Sequence, residues 1–145
     1  MAVRRLDNIG IVVEDMPTMI AFFKELGLTL VGEAPIEGEW SDRVVGLQNQ
    51  KVDIAMMATP DGHSRLEMAR YHRPAAIAGP KRMPNTLGIG RIMFCVDDLR
   101  DTVARLREKH GAELVGEIVQ YEDAYLLCYL RGPEDILLGL AEELA

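Results

Sequence analysis

Cysteine is scarce in this sequence: only Cys95 and Cys128 occur in 145 residues. A disulfide framework or a zinc site needs more cysteines or closer spacing. Both thiols are therefore expected to be reduced and buried in the apolar runs that contain them. No apolar run is long enough to span a bilayer. The opening Met1-Ala2-Val3-Arg4-Arg5-Leu6 enters a strand-like run without a signal peptide's apolar core or cleavage site. These absences set the expectation of a cytoplasmic protein with no membrane partner. Basic residues are also in deficit, 16 Lys and Arg against 23 Asp and Glu, for a net charge of −7. Nucleic-acid surfaces are ordinarily basic, so no nucleic-acid partner is expected. A dinucleotide loop is missing as well, because Gly88-Ile89-Gly90 precedes a strand and not a helix.

What is present is a repeat. Leu6 to Val13 reads as a strand, with Ile9, Ile11 and Val13 on one face and Asn8, Gly10 and Val12 on the other. Asp15 is placed to cap a helix over Met16–Leu26, closed by Gly27. A strand over 28–36, an excursion holding Trp40 and a short helical turn over 41–47, and strands over 52–58 and 64–71 complete one βαβββ unit. The segment 72–87 carries Pro74, Pro80, Pro84 and Gly79 and has no periodicity. The order then starts again, with a strand over 89–96, a cap at Asp97-Asp98 and a helix from Leu99 ended by Gly111. Leu30-Val31-Gly32-Glu33 recurs as Leu114-Val115-Gly116-Glu117. Tyr125 to Arg131 answers Asp53 to Thr59, and Ile136 to Ala141 answers Ser64 to Ala69. The predicted organisation is a first module over 1–71, a linker over 72–87 and a second module over 88–145. The predicted fold class is α+β: two βαβββ modules forming a curved mixed sheet, with an open cup on one side and helices on the convex side.

In Ser64 to Tyr71, alternation sends Leu66 and Met68 to the core and Arg65, Glu67 and Ala69 to the opposite face. A carboxylate in the middle of that face binds something, pairs with a cation or is strained. Under the repeat, Glu67 corresponds to Gly139, and Asn8 to Arg91.

The paired modules, the opening Leu-Asp-Asn-Ile-Gly-Ile-Val-Val-Glu-Asp, the strand Ser-Arg-Leu-Glu-Met and the run Gly-Pro-Glu-Asp-Ile-Leu-Leu-Gly-Leu resemble the vicinal oxygen chelate superfamily. That superfamily includes glyoxalase I, bleomycin-resistance proteins, fosfomycin-resistance enzymes and extradiol dioxygenases. The resemblance runs from about Leu6 to Leu144. In its metal-dependent members four positions supply ligands, and here they carry Asn8, Glu67, Arg91 and Gly139. Only Glu67 is an ordinary ligand. Arg91 has no lone pair to donate and is always cationic, and Gly139 has no side chain. A catalytic site of the zinc type wants about three good ligands. No metal is therefore assigned, and a divalent cofactor is disfavoured.

Glu67 and Arg91 are instead expected to form an ion pair at the floor of the cup, with Asn8 adding a hydrogen bond. Alternation adds Met57 and Arg65 from the first module and Tyr125, Tyr129 and Arg131 from the second as ligand-binding candidates. Trp40 either caps the pocket or belongs to an interface. Two function classes follow. One is a binding protein that takes a small anionic molecule without metal chemistry. The other is a glyoxalase-like lyase or isomerase, or a dioxygenase relative, with Glu67 as proton-transfer base and Arg91 as electrophile or anchor. By resemblance, the protein is expected to be a homodimer.

Overall fold

The computed structural model describes residues 2–144. The chain divides into two compact units, Met1–Ala78 and Gly79–Ala145. The boundary falls within the proline-rich segment, and the last strand of the first unit carries on past Tyr71 to Arg73.

The first unit runs β1 (Ile9–Val12), α1 (Met16–Leu26), β2 (Thr29–Glu37), α2 (Glu39–Val45), β3 (Lys51–Ala58) and β4 (Arg65–Arg73). Its mixed four-stranded sheet has the order β1-β4-β3-β2, with β1 parallel to β4 and the other pairs antiparallel. Helix α1 starts where expected. The Asp15 carboxylate accepts from the Thr18 amide at 3.1 Å and from the Thr18 hydroxyl at 2.8 Å, which satisfies an amide with no partner inside the helix. The helix ends at Gly27, whose φ of 120° suits a residue without Cβ. Met16, Met19, Phe22 and Phe23 are its buried face. They pack on the sheet side that presents Met57, Leu66 and Met68, all at most 3 % exposed. Phe22 and Phe23 meet edge to face at 5.3 Å, and each such side chain contributes about 1.5–3 kcal/mol by burial.

The second unit runs β5 (Ile92–Cys95), α3 (Leu99–His110), β6 (Glu113–Leu114), β7 (Val119–Tyr121), β8 (Tyr125–Arg131) and β9 (Leu137–Glu143). Its sheet has the order β5-β9-β8-β6, with β7 also pairing β8. β5 is parallel to β9, as β1 is to β4. Asp98 caps α3 by accepting from the Asp101 amide at 3.0 Å. Leu99, Val103 and Leu106 of α3 are buried, as are Cys128, Leu130, Leu138 and Leu140 of the strands. The recurring Leu-Val-Gly-Glu does not make one long strand here. β6 stops at Leu114 and β7 resumes at Val119, where β2 is continuous with a bulge between Leu30 and Gly32.

Strand pairing bears out the repeat for the first and last strands of each module, and shifts it by one residue between β3 and β8. Ile9 lies beside Leu66 as Ile92 lies beside Leu138, and Gly10 lies beside Glu67 as Met93 lies beside Gly139. The equivalences of Glu67 with Gly139 and of Asn8 with Arg91 follow from this register. No helix among the described residues is long and apolar enough to cross a membrane.

Candidate functional site

Each sheet has one face under its helix and one face away from it. Except for Met57 and Trp40, the candidate residues lie on the second kind of face. In the first unit Glu67 is half-buried, between Gly10 of β1 and Met56 of β3. Within its unit its side chain makes no hydrogen bond or ion pair among the described residues. Asn8 and Arg65 come together, but on Asp7. The Asp7 carboxylate accepts from the Arg65 guanidinium at 2.9 Å, from the Asn8 amide nitrogen at 3.0 Å and from the Arg5 guanidinium at 3.2 Å. The Asn8 hydrogen bond first, and then Arg5 and Arg65, hold this carboxyl below the ordinary aspartate value of 3.8. Asp7 was not singled out by sequence. Its only signal there was adjacency to Asn8, and its partner Arg65 arrives through the parallel pairing of β1 with β4.

In the second unit Arg91, Tyr129 and Gly139 converge. The Arg91 guanidinium carbon stands 4.9 Å from the centre of the Tyr129 ring, a cation–π contact worth about 0.5–1 kcal/mol at an exposed site. Gly139 leaves the room that the Met93 side chain fills beside them. A Cβ on Gly139 would lie 2.6 Å from the Met93 methyl, 3.4 Å from the Tyr129 ring and 3.5 Å from Arg91 Cδ. Within its unit Arg91 makes no hydrogen bond or ion pair among the described residues, so its five N–H donors stay available. Glu67 and Arg91 belong to different units, and neither is neutralised within its own.

Tyr125 shares the Tyr129 face of β8, and Leu126, Cys128 and Leu130 take the buried face. Burial raises the pKa of Cys128, while Cys95 is exposed. Arg131 is on the Tyr129 side too, but it is 9 % exposed and occupied. Its guanidinium donates to the carbonyls of Asp135 and Arg82 and touches the Met83 sulfur. Trp40 sits on α2, 61 % exposed, with its indole over Gly38.

Met57 is a correction. It is fully buried beside Leu66 under α1, and Met56 is the residue that lies beside Glu67. Ala55 is likewise buried, opposite Met68. The cause is one residue in a hairpin. β3 and β4 leave pairing at Ala58–Arg65, with six residues between, whereas β8 and β9 leave it at Arg131–Leu137, with five. Tyr129 is therefore the counterpart of Met56. A shift of one residue moves a whole strand's side chains to the other face.

The four metal-ligand positions of the resembled family do not fit a metal. Arg91 is a cation, and the space at Gly139 where a ligand side chain would begin is taken by Met93. The Asn8 amide is turned to Asp7. Among the described residues no group of three or more His, Cys, Asp or Glu is arranged to hold an ion.

The Glyoxalase/Bleomycin resistance protein/Dioxygenase superfamily model matches residues 5–138. A glyoxalase family protein from Bacillus cereus is 55% identical over 100% of this chain and 97% of its own, with a TM-score of 0.95. Two more distant structures share the fold. The antibiotic binding protein TnmS3 from Streptomyces sp. CB03234 is 16% identical, covering 99% of this chain and 98% of its own, with a TM-score of 0.65. A single-residue mutant of the fosfomycin resistance protein FosX from Listeria monocytogenes, complexed with Mn(II) and 1S,2S-dihydroxypropylphosphonic acid, is 12% identical, covering 96% of this chain and 90% of its own, with a TM-score of 0.66. No curated protein matches the chain. With two βαβββ modules in matched register and a family model spanning nearly its whole length, the chain belongs to the Glyoxalase/Bleomycin resistance protein/Dioxygenase superfamily.

Proposed function

We propose that this protein binds a small molecule bearing an oxyanion, a carboxylate or phosphonate, with Arg91 as its anchor and no metal in that role. The observation that supports this is the Arg91 guanidinium held against Tyr129 with no acidic partner in its unit. A planar guanidinium takes a two-oxygen anion through paired N–H donors. The aromatic ring behind it fixes the fork, which lowers the cost of ordering it on binding. Two proteins of the same fold bind small molecules, one an antibiotic and one a phosphonic acid, and both are in keeping with a ligand of this size.

Glu67 favours a second reading, an enzyme of the lyase or isomerase kind. It is half-buried with no partner in its unit among the described residues, so its carboxylate is available to accept a proton. Asn8 and Arg65 would then act on the ligand only by leaving Asp7. Homodimerisation is proposed from family membership, and light scattering in solution tests it.

The test of the anchor is thermal stabilisation by methylphosphonate and by benzoate, with chelator present. Ligands that bind the native state raise its melting temperature by mass action. The wild type is expected to be stabilised, and Arg91→Ala is expected to lose the effect. Equal stabilisation of the two proteins would end the proposal. Stabilisation that requires added Mn(II) would end its metal-free part.

A further inference from the structure

The open face of the second sheet carries a second charge that the oxyanion anchor does not use. Along β9, Leu137, Gly139, Ala141 and Glu143 alternate onto this face, while Leu138 and Leu140 are fully buried on the other. Register sets Tyr129 beside Gly139, Leu127 beside Ala141 and Tyr125 beside Glu143. From the other side, Met93 lies beside Gly139 and Cys95 beside Ala141. The strip between the two ends is thus apolar and aromatic. Tyr125 is 40 % exposed and Met93 41 %. Tyr121, paired with Tyr125 across β7 and β8, is 57 % exposed.

The two ends carry opposite charge. Arg91 is at the Gly139 level, beside Tyr129. At the other end the Cys95 thiol donates to the Glu143 carboxylate at 3.9 Å. That is the only interaction Glu143 makes through its side chain within the unit among the described residues, and a neutral thiol leaves its charge unbalanced. Because the Glu143 side chain reaches back toward Cys95, the two charges stand two to four residues apart along β9. At ~3.3 Å per residue, that is roughly 7–13 Å.

We propose that the ligand is an amino-carboxylate or similar zwitterion. Its oxyanion sits on Arg91, its apolar body lies along Tyr129, Leu127 and Tyr125, and its ammonium group sits on Glu143. This rests on the oxyanion reading and adds the opposite end of the molecule. Glu143 is then a specificity determinant: it selects ligands with a cationic far end and disfavours dianions of the same length.

The test compares octanoate with 8-aminooctanoate, whose extended chain falls in that range, by calorimetric titration of the full chain. In the wild type the amine is expected to tighten binding by about two- to fivefold, the range for an exposed ion pair. Glu143→Gln is expected to bind both equally, at the octanoate level. Arg91→Ala is expected to lose both. Cys95 gives a positional readout, since it is exposed and next to Glu143 while Cys128 is buried. 8-Aminooctanoate is expected to slow alkylation of Cys95 more than octanoate does. If octanoate binds through Arg91 but the amine adds nothing, or if Glu143→Gln keeps the amine's advantage, the zwitterion proposal is overturned and the oxyanion reading stands. If the wild type binds neither compound, both fail.

Discussion

The strands of the two modules pair in the same way, and the residues they present differ most on one face. Beneath the helices they match closely: Ile9 with Ile92, Leu66 with Leu138, Met68 with Leu140, and Met57 with Leu130. On the open faces they part: Asn8 against Arg91, Gly10 against Met93, Met56 against Tyr129 and Glu67 against Gly139. The helix-side pairs are apolar on both sides of the comparison, because that face must exclude water in either module. The open face has no such constraint. One module carries a carboxylate there, and the other a glycine beside an arginine lying on a tyrosine. Among these paired positions, the change of chemical type falls on the open face.

The largest effect that tests this contrast comes from adjacent residues. Met57→Ala is expected to cost about 2–5 kcal/mol in denaturant unfolding, the range for emptying a packed site. Met56→Ala is expected to cost less than about 1 kcal/mol, because Met56 is on the partly open face. Similar values for the two would mean that the β3 register described above is wrong. Next come the helix caps, which the modules share. Asp15→Ala and Asp98→Ala are each expected to lose about 0.5–2 kcal/mol, and a large inequality would show that the two helices carry different shares of their units' stability.

Exchanging the divergent pair is expected to do little to stability. Glu67→Gln removes a charge with no partner in its unit, and Gly139→Ala displaces only the free end of Met93. Each is expected to shift unfolding by no more than about 0.5 kcal/mol. Gly139→Glu, which writes the first module's residue into the second, is expected to confer no Mn(II) affinity measurable by calorimetry, because Arg91 remains beside it. Tight Mn(II) binding by that variant would show that a single residue had closed the metal site.

The smallest effect is in pH. Asp7 is held below its ordinary value in the folded state by Asn8, Arg5 and Arg65. Its stabilising contribution is therefore present above pH 3.8 and is lost as pH falls through the lower folded value. In melting curves at acid pH, Asp7→Asn is expected to decline less steeply than wild type below about pH 4. Parallel curves would rule out this contribution.

Much of the fold was legible because the signals are local and repeated. The limits of α1 follow from Asp15, Gly27 and the apolar spacing between them, and the register of Glu67 and Gly139 follows from the recurring pattern. The site was legible only in part. Arg91 and Tyr129 were both singled out, but not their contact with each other. Arg65 and Arg131 were expected to serve a ligand, yet Asp7 and the Arg82 carbonyl hold them. Side-chain partners of this kind come from strands far apart in sequence, and alternation says which face a residue takes, not what it meets there.

What the sequence determined by itself is the pair of βαβββ modules, because apolar periodicity and helix caps act over a few residues and occur twice. Set against the resembled family, it also put a cation, Arg91, and a residue without a side chain, Gly139, at two of the four expected ligand positions. Only the tertiary structure decided that β3 presents Met56 and not Met57 beside Glu67, since one extra hairpin residue changes which face each side chain takes. And only it decided that the missing side chain at Gly139 is filled space, with the Met93 methyl packed where a Cβ would stand and Tyr129 and Arg91 in contact around it. Close packing is a property of neighbours brought together by the sheet, and neighbours across a sheet are not adjacent in the chain.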